Sequence, residues 1–380
     1  MPNTIILPSG WKTTKLKQLF DHLTRKNTEG NSNVLTISAQ YGLISQEDFF
    51  NKSVASEDLS GYYLLRRGDF AYNKSYSAGY NFGAFKQLTR YDSGVVSPLY
   101  ICFTPNANNK CPEFYVQVFE SMLLDREIKA FAQEGARNHG LLNIAVDDFF
   151  SMPIPLPPLP EQRAIAEILT AQDNLIALKQ RLIDAKKHQK RWLMQNLLTG
   201  KMRLPGFCGE WENARLGDVA KVSNGKDHKD LADGKIPVYG SGGIMRFVDT
   251  AIYSKKSVLI PRKGSLRNLF FVETPFWTVD TIFYTKIREN RALPQFLFFS
   301  LSLRHLENLS EASGVPSLTQ GILDKLKIPL PPLPEQTVIA EVLTTAGREI
   351  ELLTRELEQQ KLIKKYLMQQ LLTGRKRVRV

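Results

Sequence analysis

The nine residues IPLPPLPEQ occupy positions 154–162 and return unchanged at 328–336, 174 residues later. A nine-residue identity with four prolines is not an accident of composition, so the chain is built on an internal repeat. With that offset, 154–203 aligns on 328–377 without a gap, and 27 of the 50 positions are identical. The ends match as well as the starts: WLMQNLLTGKMR at 192–203 faces YLMQQLLTGRKR at 366–377. The remaining stretches, 9–153 and 204–327, share only fragments, such as Trp11 followed by Leu16 and Trp211 followed by Leu216. The plan is variable, repeated, variable, repeated.

Each repeat reads as an extended proline arm running into one long helix. Pro160 and Pro334 suit a first helical turn, where the missing N–H is no loss, and Glu161 and Glu335 follow where the helix dipole favours an acid. Gly200 and Gly374 stand where a C-terminal cap is expected. In the second copy, alternating steps of four and three pick out Ile339, Leu343, Ala346, Ile350, Leu353, Leu357, Gln360, Lys364, Leu367 and Leu371, apolar in eight of ten cases. This is a coiled-coil seam. The first copy gives Ile165, Leu169, Gln172, Ile176, Lys179, Ile183, Lys186, Lys190, Leu193 and Leu197, apolar in six of ten, with charge from AKKHQKR at 185–191 near the stripe.

Each helix could simply pack on its own domain. Two matched helices in one chain, each ending a variable region, favour packing on one another, and the large domain between them makes the pair antiparallel. Some 40 residues at 1.5 Å span about 60 Å, long enough to separate two domains of about 15 Å radius of gyration. The expected fold is therefore α+β: two mixed α/β domains held apart by two long helices that pair as an antiparallel coiled coil with pseudo-twofold symmetry. The expected boundaries are 1–153, 154–203, 204–327 and 328–380.

At 380 residues the chain exceeds the size at which one hydrophobic core keeps growing. No run of about 18 apolar residues exists, and MPNTIILPSGWKTTK lacks the features of a signal peptide, so a cytoplasmic location is expected. Cys102, Cys111 and Cys208 form an odd, scattered set without Cys-x-x-Cys, which argues against a disulfide framework and a zinc site. The net charge of +12 attracts polyanions.

Both variable regions read as mixed α/β. Candidate strands lie at 34–38, 69–73, 99–103, 257–261, 269–273 and 281–286, and candidate helices at 113–124 and 293–308. The chemistry lies between the strands, in NKSYSAGYNFGAFK at 73–86, YGSGGIMRF at 239–247 and PRKGSLRN at 261–268. Lys and Arg hold phosphates, Arg grips a guanine edge, Asn does the same to adenine, and Gly lets the backbone approach. The candidate DNA contacts are Lys74, Tyr76, Tyr80, Asn81 and Lys86 in the first region. Those in the second are Tyr239, Ser241, Arg246, Arg262, Lys263, Ser265, Arg267 and Asn268. The plainer reading of any single loop is a Gly-rich hairpin with solvated charges.

Catalytic motifs are absent: there is no phosphate-binding Gly-x-x-x-x-Gly-Lys-Ser/Thr loop, no His-Glu-x-x-His, no Gly-x-Ser-x-Gly, and no Asn/Asp-Pro-Pro-aromatic of amino-methyltransferases. The five histidines are scattered singly. No catalytic residue and no metal ligand is assigned.

A variable domain, an IPLPPLPEQ arm with Ile-Ala-Glu at 165–167 and 339–341, a long helix ending in LLTG, and then the whole plan again closely resembles the specificity subunit of type I restriction–modification systems. The resemblance spans essentially the entire chain. It implies two target recognition domains, each reading one half of a bipartite, asymmetric site in double-stranded DNA, with the helices setting the gap. It also implies that two modification (methyltransferase) subunits dock on the helices and that restriction/translocase subunits join them. The apolar seam residues are then the expected helix-pairing and docking residues. S-adenosylmethionine, ATP and magnesium are expected on those partners and none on this chain, which would be non-catalytic on its own. The alternatives are a coiled-coil scaffold without a nucleic-acid role and a self-sufficient restriction enzyme. The second variable region, about 124 residues, is shorter than the first.

Overall fold

Prolines that cannot continue a helix and apolar steps that can together produce two 39-residue helices, Leu159–Leu197 and Leu333–Leu371. The computed structural model describes residues 8–38, 42–50, 56, 58–75, 80–131, 133–134, 142–310 and 316–379. The chain divides into two units, residues 1–178 with 357–380 and residues 179–356, so each unit contains part of both long helices. This cuts across the linear plan of the sequence.

In the first unit, a four-stranded antiparallel sheet runs in the order Phe20–His22, Ile101–Pro105, Phe70–Asn73, Ala84–Gln87. Its buried face carries Phe20, Phe70, Phe85 and Phe103, which pack against Phe114, Phe119 and Phe149. Phe119 belongs to the helix Pro112–Glu120, which starts on a proline as first-turn geometry allows. Ile165, Leu169 and Leu371 of the long helices join the same core. Two-stranded pairs complete the unit: Leu35–Ser38 with Gly42–Ser45, Tyr63–Arg66 with Ser93–Val96, and Gln133–Glu134 with Leu142–Asn143.

The second unit repeats the plan with other residues. Its four-stranded sheet has the order Ala220–Asn224, Ile282–Ile287, Ser257–Pro261, Phe270–Val272. A three-stranded sheet places Asp233–Gly240 between Gly243–Val248 and Trp277–Thr278. The helix Pro294–Ser302 buries Phe296, Leu297 and Phe299, and Leu197, Ile339 and Leu343 of the long helices share its core. The seam is thus not used for helix pairing alone, because its ends are shared with globular packing.

Within each unit the long helices run antiparallel. In the first, Arg377 meets Glu161 and Gln360 meets Gln172, the second helix descending as the first ascends. In the second, Glu356 faces Lys179, Glu349 faces Lys186 and Glu335 faces Arg203. Ile165, Leu169, Ile183, Leu197, Ile339, Leu343, Leu357 and Leu371 are buried, and Ile176, Leu193, Ile350, Leu353 and Leu367 are half-buried.

The proline arms explain the strict identity of the repeat. Residues 153–156 pair with Lys12–Lys15, and 327–330 pair with Glu212–Arg215, each as a short antiparallel ribbon. Gln162 Nε2 then donates to the carbonyl of Pro157, and Gln336 Nε2 to that of Pro331, both at 2.8 Å. Prolines offer only acceptors, and the buried glutamine amide supplies a matching donor.

Candidate nucleic-acid interface

Among the described residues, the most buried charge in each unit is the repeat's glutamate. Glu161 is 1% exposed and Glu335 is fully buried, so each requires compensating donors. Trp11 Nε1 donates to Glu161 Oε2 at 2.9 Å, and Arg377 grips both carboxylate oxygens at 2.7 and 2.8 Å. In the second unit, Trp211 Nε1 donates to Glu335 at 3.1 Å, and Arg203 grips it at 2.6 and 2.8 Å. Burial works to raise the Glu161 pKa, but the hydrogen bonds from Arg377 and Trp11, with the guanidinium charge, hold it below the ordinary value.

Each tryptophan also lies over the glycine that follows a long helix, Trp11 near Gly374 and Trp211 near Gly200. Those glycines have φ of +70° and +73°, so they permit both the left-handed turn and the close ring. Each lock draws its glutamate from one repeat and its arginine from the other. Tryptophan, glutamate and arginine were all visible in the sequence as matched positions; their mutual contact was not.

Against this shared frame, the loops diverge. In the first unit Lys74 is half-buried and its carbonyl accepts from Leu142 N, while Asn81 is exposed. Tyr76 lies outside the described residues. Lys86, read from the sequence as a DNA contact, is instead turned inward: it is 9% exposed and ion-paired with Glu120, whose other carboxylate oxygen accepts from Tyr80 Oη at 3.1 Å. Burial alone would lower the Lys86 pKa, and the Glu120 carboxylate more than offsets it, so the ammonium stays charged above its usual range. Lys86 alternates with Phe85 along the edge strand and so leaves the sheet by the face opposite the aromatic core, and Glu120 and Tyr80 hold its ammonium, so Lys86 and Tyr80 anchor the loop instead of presenting it.

The second unit brings its candidates closer together. Asn268 Nδ2 donates to the Ser241 carbonyl at 3.2 Å, tying the 262–268 loop to the tip of the 233–248 hairpin. Arg262 is half-exposed, with its guanidinium 5.9 Å from the Phe283 ring centre, and Lys263 and Ser265 are exposed. Tyr239 is half-buried against Phe270. Two expected readers are already engaged: Arg246 with Asp233 at 2.6 Å, and Arg267 with Glu307 at 2.8 Å. An open cleft of about 810 Å³ adjoins the hairpin tip, lined among others by Asp227, Lys229, Ser241, Met245, Asp280 and Thr281.

Among the described residues no group of three His, Cys, Asp or Glu side chains could hold a metal ion, and no helix is long and apolar enough to cross a membrane.

Two units on one frame, with constant arms and locks and dissimilar loops, define a recognition protein whose reading surfaces vary on a fixed support. Comparison with known proteins agrees. The model of the type I restriction modification DNA specificity domain matches residues 8–186 and 209–361, and the chain belongs to this family. It is 27% identical over 292 residues to the MjaVIII type I restriction enzyme specificity subunit of Methanocaldococcus jannaschii, covering 66% of this chain and 68% of that one. Among solved structures, it resembles the S subunit of a type I restriction-modification system from M. genitalium, with a TM-score of 0.63, 17% identity and 98% of both chains covered. The HsdS subunit from Thermoanaerobacter tengcongensis gives a TM-score of 0.51 at 20% identity, covering 97% of this chain and 98% of that one. These two likenesses concern the fold.

Proposed function

We propose that this chain is the DNA-reading subunit of a type I restriction–modification complex, with each unit reading one half of a bipartite, asymmetric target. The observation that carries this reading is the contrast within each unit: an identical arm and lock beside loops that share almost no sequence. Identical parts suit two copies of one partner, and dissimilar parts suit two different half-sites. In the second unit the half-exposed Arg262 and the exposed Lys263 and Ser265 fit phosphate and base edges. In the first unit the exposed Asn81 and the neighbouring Lys74 take that part.

In this reading the modification subunits dock on helix faces left open by the seam. Leu178 and its repeat counterpart Leu352 are 60% and 58% exposed, and Trp192 and its counterpart Tyr366 are 52% and 48% exposed. Large apolar residues exposed at matching positions of both copies fit two identical partners. Methyl transfer, with S-adenosylmethionine, and ATP- and magnesium-dependent translocation and cleavage belong to the partner subunits. This chain contributes specificity only.

The long helices would set the gap between half-sites. One heptad inserted after Ala185, with a matching heptad before Ile350 on the facing helix, keeps the seam in phase and adds about 10 Å. Binding-site selection with the assembled complex should then return the same two half-sites with a gap about three base pairs longer, at one pair per roughly 3.4 Å. Affinity should be lower, because the added duplex also rotates one half-site. Recovery of the original gap, or of no sequence at all, would reject the proposal.

A further inference from the structure

The hairpin of the second unit carries a feature that its basic loops do not explain. Strands Asp233–Gly240 and Gly243–Val248 pair as a ribbon that closes on Ser241 and Gly242. The second strand lies at the edge of its sheet. The register passes from Val238–Arg246 to Tyr239–Ile244, which leaves Met245 as the extra residue of a bulge. A bulge re-aims side chains, and here consecutive residues both face solvent: Ile244 is 53% exposed and Met245 60%, followed by Phe247 at 49%. Gly240 makes room for the bulged side chain, since a Cβ there would stand 2.6 Å from Met245 Sδ.

Three large apolar side chains on an edge ribbon are a liability unless something covers them. The surroundings indicate what does. Met245 shares the cleft with Lys229 and Ser241, and Asn268 ties in the loop that carries Arg262 and Lys263. Asp227 and Asp280 line the same cleft, Asp227 standing 3.9 Å from Lys229. Cations suit phosphates, and carboxylates suit the amino groups of cytosine. A two-stranded ribbon has the width of the major groove, where the only large apolar mark on a base is the thymine methyl group.

We propose that this ribbon enters the major groove of the second unit's half-site and that Ile244 and Met245 read the 5-methyl group of a thymine. This rests on the DNA-reading function proposed above. The test uses the chain assembled with its modification subunits, bound to duplexes in which each thymine of the selected target is replaced in turn by deoxyuridine, which lacks only that methyl group. At one position or more, uracil should weaken binding about fourfold, the worth of one buried methyl group.

The double variant Ile244→Ala, Met245→Ala should bind the thymine duplex about fourfold less well and be indifferent to uracil there, whereas Met245→Leu should keep the discrimination. Uracil that is neutral at every position, or that costs the double variant as much as the unaltered chain, overturns the proposal. So does failure of the folded double variant to assemble with its partners, which would assign the ridge to a protein contact. If the unaltered complex shows no sequence preference, the DNA-reading function itself has failed.

Discussion

Where the helix Pro112–Glu120 meets the first long helix, the first unit joins Gln117, Asp173 and Lys364. Gln117 Nε2 donates to Asp173 at 3.0 Å, and Lys364 meets the same carboxylate at 2.5 Å. At the corresponding places of the second unit stand Phe299, Gly347 and Lys190. There Lys190 lies 5.6 Å from the Phe299 ring centre, and Gly347 leaves space beside its ammonium. Burial lowers the Lys190 pKa, as expected of a cation that has exchanged a carboxylate for a ring face. The lysine is common to both repeats, and its partners changed together: loss of the acid accompanies replacement of the glutamine by phenylalanine. The Trp–Glu–Arg locks, by contrast, are the same in both units. A fully buried carboxylate tolerates no missing partner, whereas a half-buried lysine can be satisfied in two ways.

The largest effect is expected where the first unit departs from the second. Lys86→Met removes the buried ammonium that pairs with the partly buried Glu120 and should destabilise the chain by about 3 kcal/mol, measured by denaturant unfolding. Lys263→Met, at an exposed position, should leave stability unchanged. If Lys86→Met unfolds at the same denaturant concentration as the unaltered chain, the inward placement of Lys86 is wrong.

Next come the locks. Glu161→Ala and Glu335→Ala each strand a tryptophan N–H and should cost about 2 kcal/mol. Their near-equality, read from tryptophan fluorescence during unfolding, tests the identity of the two frames; a cost confined to one would break it.

The divergent triads give a smaller pair of effects. Asp173→Gly removes an acceptor from buried Gln117 and should cost about 1–2 kcal/mol. The reciprocal Gly347→Asp should gain about 0.5 kcal/mol from helix propensity and a new ion pair. Differential scanning calorimetry of the two variants checks the opposite signs, and equal signs would show that the units are not exchangeable here.

The smallest effect is on acid stability. The folded pKa of Glu161 lies below its ordinary 4.5, so its contribution is fully present above that pH and fades as pH falls through the depressed value. Glu161→Gln should therefore flatten the stability profile below about pH 4.5 and leave its slope near pH 7 unchanged. An unaltered acid slope would mean that the carboxylate is not held by Arg377.

Much of this organisation can be read in the sequence. The repeat announces both long helices, and the seam from Ile339 to Leu371 is marked by spacing alone because a helix carries its periodicity along the chain. The strand expected at 257–261 is found there, that expected at 281–286 is found at Ile282–Ile287, and the helix expected at 293–308 spans Pro294–Ser302, all three marked by apolar runs. The loops are harder. Lys86 and Lys263 look alike as letters, and only the long-range contacts with Glu120 and Tyr80 make the first an anchor while the second stays in solvent. Arg246 and Arg267 likewise meet acids whose proximity depends on strand register and loop path.

What the sequence determined by itself is whatever depends on neighbours along the chain: periodicity, prolines, caps and the fact of duplication. What only the tertiary structure decided is partnership at long range. Glu161 and Arg377 are 216 residues apart, and Arg203 and Glu335 are 132 apart. A buried charge requires a counter-charge at about 3 Å whatever its distance along the chain, and that requirement leaves no local pattern beyond the conservation of each letter in its own repeat.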